Sequence, residues 1–210
     1  MILLIAAAAV SAGCSRPGIK GDGVVKTTNQ SIADFSALVV SGGYKITWSS
    51  GKPALTITTD QNLLPLIKAT VSGNTLQIES EDNLRPTKGI TITLSSASLA
   101  DVQLNGAVDL TASQLSGRGL KLESNGAADI TIAGSVTNLE ATLSGACRLN
   151  AKSLKAQTAT VSLNGASYGD VTVTGALNAS ISGTGVLTYS GNPKSVEKNV
   201  SGVGSIRPRP

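Results

Sequence analysis

From Leu99 to Ile206 the apolar positions return on a frame of about twenty residues, and each frame is centred on a glycine. Gly106, Gly126, Gly145, Gly165, Gly183 and Gly202 mark it, preceded in turn by Asn105, Asn125, Ser144, Asn164, Ser182 and Ser201. Two places before glycine stand Leu104, Ser124, Leu143, Leu163, Ile181 and Val200. Four places after it stand Leu110, Ile130, Leu149, Gly169, Leu187 and Ile206. An apolar strand, a turn and another apolar strand at constant period predict an all-β solenoid with coils of about 20 residues, each covering its neighbour. At about 4.8 Å per coil, six coils would stack to roughly 29 Å.

The corner chemistry fits that reading. Glycine takes positive φ without steric cost, and asparagine tolerates the left-handed region better than most residues. Stacked corners would align Asn105, Asn125 and Asn164 as an amide ladder, with Ser144, Ser182 and Ser201 substituting. The column after glycine (Ala107, Ala127, Ala146, Ala166, Thr184, Val203) reads as small residues packed inside the corner. All twelve turn residues are therefore expected to be structural.

Ahead of the array the pattern is β-rich but irregular, over residues 32–98. Leu38, Val40, Ser41, Gly42 and Ile46 reproduce the frame once, as an early copy. Leu55–Thr58, Leu76–Glu79 and Ile90–Leu94 alternate with period two, as half-buried strands do. Asn62–Lys68 breaks the alternation and suggests one helical turn, with Pro65 tolerated in its first turn. Part 32–98 is expected to cap one end of the 99–206 array, and the 207–210 tail to be a solvated end that discourages strand pairing.

Composition narrows the chemistry. Aromatic residues are 2% of the 210 residues and charged residues 14%, so small and β-branched side chains fill the core. The net charge of +4 is spread without a basic run, which speaks against nucleic acid as a partner. Histidine is absent, removing the commonest general base and metal ligand. Asp109 and Asp129 share the column three places after glycine, but it continues as Arg148, Tyr168, Val186 and Ser205. Calcium wants six to eight oxygens, so no metal site and no cofactor are expected. The same two carboxylates, about 5 Å apart across neighbouring coils, are the one arrangement that suits a retaining glycosidase. Cys147 stands among Val108, Ala128, Ser167, Gly185 and Gly204, a column of small residues that predicts a buried, inert thiol.

Ile2–Val10 is an apolar run too short to span a bilayer, followed by Ser11-Ala12-Gly13-Cys14. This resembles the lipobox of bacterial lipoproteins, although Ser11 stands where leucine is usual and no basic residue precedes the run. The resemblance implies a signal peptide over 1–13 and lipidation at Cys14, with Ser15 resembling the sorting signal for the outer membrane. Residues 14–31, polar and holding Pro17, Gly18, Gly21 and Gly23, read as a linker that lifts the domain off the membrane.

The frames Leu104-Asn105-Gly106-Ala107, Leu143-Ser144-Gly145-Ala146 and Leu163-Asn164-Gly165-Ala166 are similar to the Ser-Gly-Ala repeats of the head GIN domain family. Phe35–Gly42 with Asp60–Ile67 resembles that family's opening, and Tyr189–Lys194 with Val200–Ile206 its closing signature. The resemblance implies a right-handed parallel β-helix-like fold on a secreted or lipid-anchored envelope protein, and carries no catalytic residue. The expected function is non-enzymatic: a rigid rod in the bacterial envelope that meets a protein or polysaccharide ligand, with self-association at a strand edge. A pectinase-like enzyme and a periplasmic scaffold are the alternatives.

Overall fold

The computed structural model describes residues 18–80 and 83–209; the predicted signal peptide and Cys14 lie outside them. Ten strands follow in chain order. They are β1 (Ile19–Lys20), β2 (Val25–Gln30), β3 (Ala37–Ser50), β4 (Ala54–Asp60), β5 (Ile67–Ser72), β6 (Thr75–Ser80), β7 (Leu84–Arg85), β8 (Thr91–Ser96), β9 (Asp101–Ser190) and β10 (Ser195–Pro208). A 3-10 turn over Leu64–Leu66, with Pro65 in its opening positions, fills the break between β4 and β5. The described chain is all-β, and its strands form no closed barrel.

β9 is a single extended run of 90 residues, possible only because it bends repeatedly at glycine. Gly106, Gly126, Gly145, Gly165, Gly183 and Gly202 all hold positive φ, between 87° and 133°. They also lie over one another. A Cβ on any of the six would stand within 2.7 Å of the carbonyl oxygen of the preceding frame glycine, beginning with Gly42 under Gly106. Such a contact is closer than real Cβ atoms approach, so the stack leaves room for glycine alone.

Parallel ladders set the register. β10 lies on β9 with Gly202 opposite Gly183, and β3 lies on the start of β9 with Gly42 opposite Gly106. Leu104, Leu143, Leu163 and Ile181 are consequently buried in one column, and Leu110, Ile130, Leu149 and Leu187 in another. A single apolar core runs from Phe35 to Ile206. Trp48 is enclosed in its first part, where its indole Nε1 donates to Ser96 Oγ at 2.9 Å, satisfying the one polar atom of the largest buried side chain.

Three expectations need correction. The sheets are mixed, because β2–β4, β4–β8 and β5–β6 pair antiparallel beside the parallel β3, β6, β8, β9 and β10 ladders. Residues 18–31, assigned above to a 14–31 linker, are built into the domain: β2 pairs with β4, and β1 pairs with β7. The anchor is Asp60, whose carboxylate accepts from Gly23 N at 2.8 Å and from both N and Oγ1 of Thr87 at 2.8 and 2.7 Å. Those bonds hold the Asp60 carboxyl below its ordinary value, with the Thr87 hydroxyl as the largest cause. Residues 207–209 of the expected 207–210 tail are likewise no free end. Arg207 and Pro208 belong to β10, Arg209 N donates to Tyr189 O at 2.7 Å, and the Arg209 guanidinium pairs with Asp170.

Candidate ligand groove on the stack

Stacking turns each position of the frame into a column, and two exposed columns frame a groove. The residue after glycine was expected inside the corner; Ala107, Ala127, Ala146 and Ala166 instead face solvent and line the groove in a row. The reason is the corner itself. With glycine at positive φ, the chain turns outward for two residues before the next buried position, which is Val108, Ala128, Cys147 or Ser167. Two places past each alanine stand Asp109, Asp129, Arg148 and Tyr168, continuing from Lys45 in β3. The cavity they line measures about 660 Å³ and is bordered at its β3 end by Lys88, Gly89, Ile90 and Thr91.

The wall changes sign along its length. Lys45 Nζ stands 4.0 Å from Asp109 Oδ2, an exposed pair that contributes little to stability. Asp129 and Arg148 follow, and neither makes an ion pair with another described residue. Tyr44 underlies the β3 end, where burial pushes its hydroxyl above the ordinary value and keeps it protonated. A second recess of about 260 Å³ opens on the far side of Arg148 and Tyr168, lined also by Asn150, Lys152, Asp170 and Thr188.

Of the twelve turn residues, those from Asn105 to Gly165 lead directly into the groove's alanines, and Ser182, Gly183, Ser201 and Gly202 belong to later coils. Asn125 Nδ2 donates to Asn105 Oδ1 at 3.3 Å, a single rung of an amide ladder. Among the described residues no side-chain bond joins Asn164 to Ser144 or Ser182, or Ser182 to Ser201. Cys147 is buried, with Sγ 3.5 Å from Ser124 Oγ and 3.7 Å from Gly126 O. Asp109 and Asp129 do share the wall, as their column requires, but both stand exposed on an open surface. Among the described residues no group of three or more Cys, Asp or Glu side chains is placed to hold a metal ion. Sequence reasoning identified the wall residues as a column but missed the groove, since its border at Lys88–Thr91 comes from outside the repeat. The exposed alanine row did carry a signal, being four consecutive alanines in one column where an interior column varies in size.

A family model described as "Putative auto-transporter adhesin, head GIN domain" matches residues 34–193. The chain belongs to the head GIN domain family. Solved structures agree on the fold of this head GIN domain. A putative adhesin from Bacteroides fragilis shares 20% identity over 91% of this chain and 100% of its own, with a TM-score of 0.73. A putative adhesin from Parabacteroides merdae is 17% identical over 92% and 99%, with a TM-score of 0.54. A putative lipid binding protein from Parabacteroides distasonis is 22% identical over 92% and 100%, with a TM-score of 0.52. At these identities the likeness establishes the fold alone. No match to the chain was found among curated proteins.

Proposed function

We propose that this head GIN domain protein is a non-enzymatic component of the bacterial cell envelope that holds an extended polymer in its groove. On this reading the chain is tethered through lipidated Cys14 at the outer membrane, and its coils wind as a right-handed parallel solenoid. The observation that carries the proposal is the groove: a row of exposed alanines, one per coil, beside a wall in which the carboxylates of Asp109 and Asp129 lie between the cations Lys45 and Arg148. A smooth floor with one wall side chain per coil suits a ligand that itself repeats, a polysaccharide or an extended polypeptide. Family membership and the adhesin names of its structural relatives support an envelope role. The exposed setting of Asp109 and Asp129 favours binding over glycoside hydrolysis, which relies on one carboxyl enclosed by apolar groups so that it can donate a proton.

The test uses the full chain in detergent, passed over immobilised hyaluronate, dextran and gelatin. Retention on at least one matrix is expected, and Ala146→Trp, which fills the groove from an exposed floor position, should weaken it about tenfold. Equal retention of wild type and Ala146→Trp, or retention on none of the three, would overturn the reading. Incubation with any retained polysaccharide should release no reducing ends; release that Asp109→Asn abolishes would instead establish a glycosidase.

A further inference from the structure

Tyr168 is the large aromatic that the array leaves bare: its residue is 53% exposed, whereas Phe35, Tyr44 and Trp48 are buried. An apolar ring in water has hydration to lose on binding a partner, and among the described residues neither the core nor a hydrogen bond uses this one. Its position is specific. Tyr168 and Arg148 sit three places after Gly165 and Gly145, which stack directly, and both side chains line both recesses of the groove face.

The charges beside the ring are unbalanced. Asp170 is the carboxylate of the second recess, and it is already held by Lys152 at 3.4 Å and by Arg209. Arg148 has no acidic partner among the described residues, so its fork of donors is open towards the groove. Arg148, Lys152 and Arg209 thus face one carboxylate. Further along the wall the sign reverses at Asp129 and Asp109. A uniformly anionic polymer would meet those two carboxylates; a neutral one would leave Arg148 unanswered.

We propose that Tyr168 and Arg148 form a subsite for an acidic sugar of a glycan whose neighbouring sugar is neutral. The pyranose face lies on the phenol ring, and the sugar carboxylate takes paired donors from the guanidinium, the geometry in which arginine is selective for carboxylates. The neighbouring neutral sugar runs over the alanine floor and presents hydroxyl donors to Asp129. This inference rests on the polymer-binding reading above and assigns the chemistry of the ligand.

Hyaluronate, in which glucuronate alternates with N-acetylglucosamine, is the probe, and binding of its oligomers to the full chain is measured by titration calorimetry. Tyr168→Ala should weaken binding about tenfold, and Tyr168→Phe by no more than about twofold, because the ring face and not the hydroxyl makes the contact. Arg148→Gln should cost a similar factor and flatten the dependence of affinity on salt, which a merely structural role would not alter. Both side chains are exposed, so the variants should melt as wild type does, which keeps a loss of binding interpretable. Retention on dextran or gelatin without hyaluronate binding would overturn the sugar assignment and leave the polymer reading standing. Hyaluronate binding undiminished in Tyr168→Ala would overturn the subsite. Retention on none of the matrices would remove both.

Discussion

At Gly126 a side chain would meet two obstacles at once. Its φ is +133°, and a Cβ there would lie 2.5 Å from the carbonyl oxygen of Gly106 in the coil beneath. Gly126→Val should therefore cost about 1 to 3 kcal/mol of stability in denaturant titration. Gly117 separates the two causes, because its φ of +132° is matched by open space with no heavy atom within 4 Å. Gly117→Ala should cost only the backbone term, and equal losses for Gly126→Ala and Gly117→Ala would show that coil contact adds nothing. Asp60 supplies a residue-scale prediction of a different kind. Its folded pKa is depressed, chiefly by the Thr87 hydroxyl, so its contribution is present above the unfolded value and is lost as pH falls through the folded one. Wild type should lose stability on acidification below about pH 4 more steeply than Asp60→Asn, which has no charge to lose. Identical acid profiles would mean that the Gly23 and Thr87 bonds survive protonation.

At the scale of the element, β10 ends the stack, and its treatment of the last edge is specific. Register places Lys198 opposite Ala179, which is fully buried, so a lysine occupies a core-facing column in the final coil. Its Nζ donates to Ile206 O at 3.0 Å and lies 5.1 Å from the centre of the Tyr189 ring, closing the end with a charge. An inward-pointing charge on an edge strand opposes strand addition by another chain. The need is plain from Val200, 42% exposed although Ile181, its partner in the preceding coil, is buried. Lys198→Leu should raise the apparent mass in sedimentation as concentration increases, relative to wild type. Unchanged sedimentation would place the block elsewhere, in Pro208 or the pinned Arg209.

For the whole molecule the open question is where the groove is presented. On the proposed anchoring, Cys14→Ala should move the protein from the membrane to the soluble fraction, and continued membrane attachment would refute lipidation as the tether. Protease treatment of intact cells carrying an epitope-tagged copy then separates the two envelope roles. Loss of the tag before lysis is expected of a surface adhesin. Protection until lysis would point to a periplasmic scaffold. On that proposed anchoring, the docking of β2 onto β4 would leave a shorter tether than a linker over 14–31.

The sequence by itself determined what repeats. The spacing of Gly106 to Gly202, the Asn or Ser before each and the apolar columns on either side were all legible, because each depends on local backbone preference and on contacts between equivalent positions. Only the tertiary structure decided what does not repeat. The antiparallel pairing of β2, β4 and β8, the Asp60 anchor on Gly23 and Thr87, and the return of Arg209 to Asp170 join residues far apart that no period relates. The groove lies between these cases: its floor and wall are columns of the repeat, but which columns face solvent follows from the outward turn at each glycine. Its border at Lys88–Thr91 comes from a segment that reaches it by long-range pairing alone.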